Sequence, residues 1–259
     1  MILIDLVSSI SDALPRLVAA SAQRPPDEKL FGPDVGYAFF QPAGLRTRDR
    51  FDLDPAEAWS RLRSTTVGIL GMDSTSHAVA HAAHQRFGAD VVHRQPRPVG
   101  TGYGTDARSA SLDEILSARV LCVVLPWGRD QLAQVRRNKL APVAAQTVLV
   151  VWRRSPAIER ALLYLGRHYV EPVQLHDLAK VACVSKFHFA RLFTATLGIT
   201  PHRYQLLLRL SRAKAMLREG GGITQIAHGV GFSDHSHLDR SFRVLMGMTP
   251  TQYQHSVGR

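Results

Sequence analysis

The sequence predicts an α/β domain over residues 1–155 followed by an all-helical domain over residues 156–259. Three observations carry the division. Up to about Arg154, short β-branched runs (TTVGIL at 65–70, RVLCVVL at 119–125, QTVLVV at 146–151) alternate with Gly- and Pro-rich stretches such as QPRPVGTGYG. Beyond it the apolar residues recur at helical spacing, and the Ser155-Pro156 step marks the join, because proline pushes its predecessor out of helical conformation. Charge is also uneven: residues 156–259 carry 13 Lys and Arg against 6 Asp and Glu, while the first 155 carry 19 against 15.

Composition excludes several classes. The chain has 259 residues, 45% of them hydrophobic, enough for a core, so disorder throughout is excluded. The balance of 32 Lys and Arg against 21 Asp and Glu, a formal +11, points to a polyanionic partner, either nucleic acid or an anionic membrane surface. No apolar run approaches the roughly 18 residues of a membrane span, so no membrane partner is expected. The opening MILIDLVSSISDALPRL has Asp5 and no basic leader, unlike a secretory signal. Two cysteines in apolar settings, Cys122 and Cys183, do not make a disulfide framework, and a reducing cytoplasm is the expected compartment.

Residues 1–62 show no usable motif beyond Asp54-Pro55, which is expected to open a short helix running into Trp59. From Thr66 the chain reads strand, turn, helix, strand. TVGILG, FGADVV, SLDEIL with the following LP, and KLAPVAAQTVLVV resemble the dinucleotide-binding domain of D-2-hydroxyacid dehydrogenases over about 63–154. That resemblance implies a Rossmann-like parallel sheet, and it departs where chemistry would occur. A G-x-G-x-x-G loop lets backbone approach a pyrophosphate, but here Gly71, Asp73 and Ser76 hold those positions, and basic His93-Arg94 replaces the acidic residue after the second strand. Arg154 stands near the family's arginine, while its Glu and His are absent and the sheet is truncated. No catalytic role and no cofactor are therefore expected, and the domain is read as a ligand sensor or a protein-contact module. His77, His81 and His84 share one helix face at i, i+4, i+7. They are read as a solvated face opposite Ala78, Val79, Ala80 and Phe87 rather than as a metal site, although neutral imidazoles so placed are chemically able to hold a transition metal.

The helical half contains an internal repeat. FARLFTATLGITPHRY (189–204) and LDRSFRVLMGMTPTQY (238–253) align at an offset of 49, matching Arg191 with Arg240, Phe193 with Phe242, Gly198 with Gly247 and Tyr204 with Tyr253. Just upstream the offset is 48: Leu175, Leu178, Ala179 and Ala182 match Ile223, Ile226, Ala227 and Val230, one face of a short helix in each copy. Each short helix leads through a tight turn to a serine, Ser185 or Ser233, expected to cap a second helix. Gly198 and Gly247 then close that helix and Thr-Pro opens a third. This is a helix-turn-helix pattern present twice, joined by the amphipathic stretch 202–220. Phe189, Phe193, Leu238 and Phe242 are expected in the core, with Tyr204 and Tyr253 packed on their own units.

The strings LHDLAKVACVSKFHFARLFTATLGITPHRY and ITQIAHGVGFSDHSHLDRSFRVLMGMTPTQY resemble the AraC/XylS family of bacterial transcription regulators over about 157–256. The resemblance implies seven helices, with two recognition helices entering successive major grooves of promoter DNA. On the outward faces stand Lys186, Phe187, Ala190 and Arg191, then Ser233, Asp234, His235, Ser236, Asp239 and Arg240. Arg191 and Arg240 are expected to read bases, because a guanidinium pairs bidentately with guanine. His235 and Ser236 are expected on bases or phosphates and Phe187 on a thymine methyl. Asp239 either accepts from a cytosine amino group or orients a neighbouring arginine. Lys186, Arg209, Arg212 and Lys214 are expected as phosphate anchors. The expected function is a sequence-specific DNA-binding transcription regulator, nucleoid-associated in the cytoplasm. Its expected partners are double-stranded promoter or operator DNA, RNA polymerase and a small-molecule effector. Two alternatives remain at this point: a NAD(P)-binding redox sensor or enzyme tethered to DNA, and a non-specific architectural binder.

Overall fold

The computed structural model describes residues 3–23, 35–40, 60–71, 74–93, 107–125 and 142–257. They form two compact units. One draws its described residues from Ala19–Ala133 and Ala141–Ser155, the other from Ile2–Val18 and Pro156–Arg259. The second unit thus includes the amino-terminal helix, which differs from the expected 1–155 domain. The helix expected from Asp54-Pro55, together with Asp73 and Arg94, lies outside the described residues.

The α/β unit is built on a six-stranded sheet of order β1-β6-β5-β2-β3-β4. Its elements are β1 (Val35–Phe40), β2 (Thr66–Leu70), α2 (Ser74–Phe87), β3 (Asp90–His93), β4 (Arg108–Ser109), α3 (Leu112–Leu116), β5 (Val120–Val124) and β6 (Thr147–Arg153). Strands β2 to β6 run parallel, and β5 is buried along its whole length, as its unbroken Val/Leu/Cys run requires. Strand β1 pairs antiparallel with β6, so the sheet is mixed rather than wholly parallel. Val67, Ile69, Val91, Cys122, Val124, Leu149 and Val151 form the core with Val79 and Ala83 of α2. Gly68 is required in β2 because a side chain there would run into the Ile115 carbonyl of α3.

The helical unit contains residues 3–18 of α1 (Leu3–Gln23), and α4 (Pro156–His168), α5 (Leu175–Ala182), α6 (Lys186–Leu197), α7 (Pro201–Arg218), α8 (Ile223–Gly229), α9 (His235–Met246) and α10 (Pro250–Val257). Seven helices follow Ser155, as the resemblance implied. Gly198 and Gly247 end α6 and α9 in left-handed conformation, with φ 74° and 76°. Thr200 and Thr249 cap α7 and α10, accepting from the Arg203 and Gln252 amides.

Helix α1 is held by chemistry that its sequence does not advertise. Leu6, Ile10, Ala13, Leu14 and Leu17 are at most 1% exposed. Pro15 lies inside the helix and has no N–H, so the Ser11 carbonyl four residues back loses its helical donor. The Tyr204 hydroxyl of α7 donates to that carbonyl at 2.7 Å. Tyr204 therefore serves α1 as well as its own repeat. The Pro15 ring seats against Gly166 of α4, where a β-carbon would stand 2.8 Å from Pro15 Cβ. Asp12, 8% exposed, pairs with Arg212 of α7 at 3.0 Å and with Arg16 at 3.5 Å. Burial raises its carboxyl above the ordinary value, against the pull of Arg212, Arg16 and Lys214.

Tyr204→Phe removes the donor to the buried Ser11 carbonyl while keeping the ring, and is expected to lower stability by about 1–3 kcal/mol. Urea titration checks this, with the midpoint falling and the slope unchanged.

Candidate nucleic-acid interface

Both helix-turn-helix units close their first helix in the same way. In the first, Cys183 adopts left-handed φ 58° and the Val184 amide donates to the Ala179 carbonyl at 3.1 Å. In the second, Gly231 has φ 86° and the Phe232 amide donates to the Ala227 carbonyl at 2.9 Å. These bonds, spanning five residues back, satisfy carbonyls that a helix end leaves open. Gly231 is further constrained, since a β-carbon there would collide with the Val170 carbonyl. Cys183 is exposed, unlike the apolar setting expected for it, because the αL turn lifts it off the buried face of α5. Small residues sit where the paired helices cross: Ala179 is 4% and Ala227 0% exposed.

The second turn is one residue longer. In the first unit Ser185 caps α6, its hydroxyl accepting from the His188 amide at 3.3 Å. In the second, Ser233 is not the cap. Asp234 is: its Oδ1 accepts from the His237 amide at 2.7 Å while the Ser233 hydroxyl donates to Oδ2 at 2.9 Å. A carboxylate is the stronger acceptor at a positive helix end, so it displaces the serine and α9 begins at His235. The His237 amide, with help from Ser233, holds the Asp234 carboxyl below its ordinary value.

These caps fix which side chains face outward. Phe189, Phe193 and Leu197 of α6, and Leu238, Phe242, Leu245 and Met246 of α9, are buried. Lys186, Phe187 and Arg191 are exposed and Ala190 half-buried, with Phe187 leaving 80% of its surface in water. On the second unit Ser233, His235, Ser236 and Arg240 are exposed and Asp239 is half-buried. Asp239 accepts from Arg243 Nη2 at 2.8 Å, one helical turn along α9. Arg243 and Val244, both exposed on α9, had not been singled out in the sequence. Their one visible signal is the i, i+4 spacing of Asp239 and Arg243.

The three cations expected as phosphate anchors on the linker helix are each engaged within the helical unit. Lys214 is 2% exposed, and Arg212 is engaged by Asp12. Arg209 donates to the carbonyls of Tyr169 (2.7 Å), Val170 (3.1 Å) and Glu171 (3.0 Å), joined by Gln205 on Tyr169 and Glu171. Helix α7 is buried on much of its circumference, with Leu207, Leu208, Leu210, Ala213 and Leu217 all inside. Arg160 of α4, also missed, donates to the Val181 and Ala182 carbonyls at the end of α5.

In the α/β unit, Gly71 at the end of β2 is hemmed in by the Ser76 side chain and by Val124 Cβ. The His93 ring donates from Nε2 to the Gly71 carbonyl at 2.6 Å, and burial lowers its pKa, keeping it neutral. These residues pack closely around the end of β2. His77, His81 and His84 are exposed on α2, and no cluster of metal-binding side chains occurs among the described residues. Ala78, expected against the sheet, is exposed as well, while Val79, Ala80, Ala82 and Ala83 are buried.

A helix-turn-helix domain model matches residues 178–256. Over 92 residues the chain is 38% identical to the "probable transcriptional regulator LumQ" of Photobacterium leiognathi, covering 35% of this chain and 37% of that protein. It is 36% identical over 101 residues to a Streptomyces lividans protein described as an AraC-like transcription regulator, covering 39% of this chain and 33% of the other. Among solved structures, a transcriptional regulator with an AraC-type DNA-binding domain from Chromobacterium violaceum aligns with 30% identity and a TM-score of 0.38, over 40% of this chain and 94% of that one. The chain spans only about a third of the length of these curated relatives.

Gly231→Ala is expected to cost about 2 kcal/mol or more, whereas Cys183→Gly at the equivalent turn relieves its φ and gains about 0.5 kcal/mol. Thermal unfolding of the two variants checks both signs. Since Asp234 is depressed when folded, its cap is expected to hold above the ordinary aspartate value of 3.8 and to weaken as pH falls below it. The protection of the His237 amide, taken relative to its intrinsic exchange rate at each pH, is expected to fall over that range in the native protein and to stay level in Asp234→Asn.

Proposed function

We propose that this chain is a sequence-specific transcription regulator whose AraC-type helix-turn-helix domain reads two successive major grooves with α6 and α9. The observation that carries the reading is the doubled unit: two helices, capped and closed alike, each presenting an exposed arginine at the equivalent position, Arg191 and Arg240. In this reading Arg191 and Arg240 contact base edges, and His235 and Ser236 contact bases or phosphates. Phe187 covers a thymine methyl, and Lys186 with the amide-rich starts of α6 and α9 holds phosphates. Asp239 sets the pose of Arg243, adding that side chain to the second reading face. Arg209, Arg212 and Lys214 do not touch DNA.

The α/β unit serves as the sensing or protein-contact module, with a small-molecule effector and RNA polymerase as the partners such a regulator requires. A dehydrogenase or NAD(P)-sensing role is disfavoured by Ser76 and His93 around Gly71. A cytoplasmic location follows from the DNA partner, and no helix among the described residues is long and apolar enough to cross a membrane.

Selection of bound duplexes from a fragmented genomic pool is expected to enrich two short half-sites about 10 bp apart. Against such a site, Arg240→Ala is expected to lose about 1–3 kcal/mol and to relax preference at one base pair, while Lys214→Met leaves the salt dependence unchanged. Flat enrichment, with binding that vanishes as salt rises, would instead indicate a non-specific binder.

A further inference from the structure

We propose that α1 is a working part of the DNA-reading unit, setting the pose of the first recognition helix through the Ser11 carbonyl, Tyr204 and Phe193. This inference rests on the reading of α6 and α9 as recognition helices.

The route is continuous and made of named contacts. Pro15 frees the Ser11 carbonyl, and the Tyr204 hydroxyl takes it at 2.7 Å. The Tyr204 ring stands edge-on to Phe193 of α6 at 5.7 Å, and Phe193 packs on Phe189 at 5.5 Å. Phe189 and Phe193 are the fully buried inner side of the helix that carries Lys186, Phe187 and Arg191 outside. Moving Tyr204 therefore moves the surface on which α6 rests.

Two further contacts place α1 independently of that bond. Gly166 provides the notch for Pro15, and Asp12 is buried beside Arg212 and Lys214. Neither would be built for a helix that merely covers apolar surface, because an acid so buried is costly unless its partners are fixed. In the second unit Tyr253, the repeat counterpart of Tyr204, packs on Phe242 at 5.5 Å, and the guanidinium of Arg218 lies 5.8 Å from its ring centroid. The contacts traced from α1 lead to the inner side of α6, so its influence is expected at the first of the two reading helices.

The test uses the full-length chain and the operator it selects, intact or with either half-site scrambled. Two single variants are compared with wild type: Tyr204→Phe, and Gly166→Ala, which pushes Pro15 out of its notch. Both are expected to lose affinity for the intact operator by about three- to tenfold. The loss is expected to persist when the α9 half-site is scrambled and to vanish when the α6 half-site is scrambled. Pro15→Ala restores an N–H for the Ser11 carbonyl, so adding it to Tyr204→Phe is expected to recover most of the lost affinity. Equal losses through both half-sites, or no loss in either variant, would overturn the inference while leaving the regulator reading intact. Failure of the wild-type chain to select any operator would overturn the regulator reading itself.

Discussion

The arrangement of the two reading helices depends on one polar clamp inside the helical unit. Arg209 and Gln205, one turn apart on the linker helix, together gather the carbonyls of Tyr169, Val170 and Glu171, where the chain leaves α4 and has not yet entered α5. Tyr169 is half-buried while Val170 and Glu171 are exposed, so the clamp orders a surface bend by giving its carbonyls fixed donors in place of water. The same bend presents the Val170 carbonyl to Gly231, in the turn of the second unit. One loop of the first unit is thus bound to the linker and pressed against the turn of the second. Each helix-turn-helix has its own aromatic core, but their relation to one another is fixed by backbone carbonyls and one guanidinium.

This division of labour explains where the positive charge goes. A formal +11 suggests a surface covered with cations, yet three on the linker helix are engaged within the unit: Arg209 on carbonyls, Arg212 on Asp12, and Lys214 buried beside the same acid. Lys186, Arg191, Arg240 and Arg243 remain exposed on the helices that carry the repeat. A rigid guanidinium fork suits the gathering of carbonyls inside, and in the proposed reading the same fork takes base edges outside. Burial, rather than residue type, separates the two.

The repeat made most of the helical unit legible before any coordinates, because its punctuation is local: glycine after α6 and α9, Thr-Pro before α7 and α10, and alanine where paired helices cross. Three features were not legible. The cap of α9 shifted from Ser233 to Asp234 because two good capping residues are adjacent, and only the geometry of the longer turn decides between them. The engagement of Arg209, Arg212 and Lys214 within the unit was not visible because helical periodicity does not say how many neighbours a central helix has. Helix α1 was opaque because its partners, Gly166, Tyr204 and Arg212, lie some 150 to 200 residues away in sequence, and no local pattern encodes a proline whose missing N–H is answered by a distant tyrosine. In the α/β unit the β-branched runs gave the parallel strands. Strand β1 escaped because an antiparallel edge strand carries no crossover helix to announce it.

The central claim is that α7 and its carbonyl clamp hold the two reading helices at one fixed separation. Its most direct test is the affinity of the full chain for its selected operator when spacer DNA is varied one base pair at a time between the half-sites. A rigid linker predicts one optimal spacing and a steep loss once about 5 bp, half a helical turn, have been inserted, because the second groove then faces away. Affinity that stays flat across those spacings would contradict it, since only flexibly tethered units re-register on rotated half-sites.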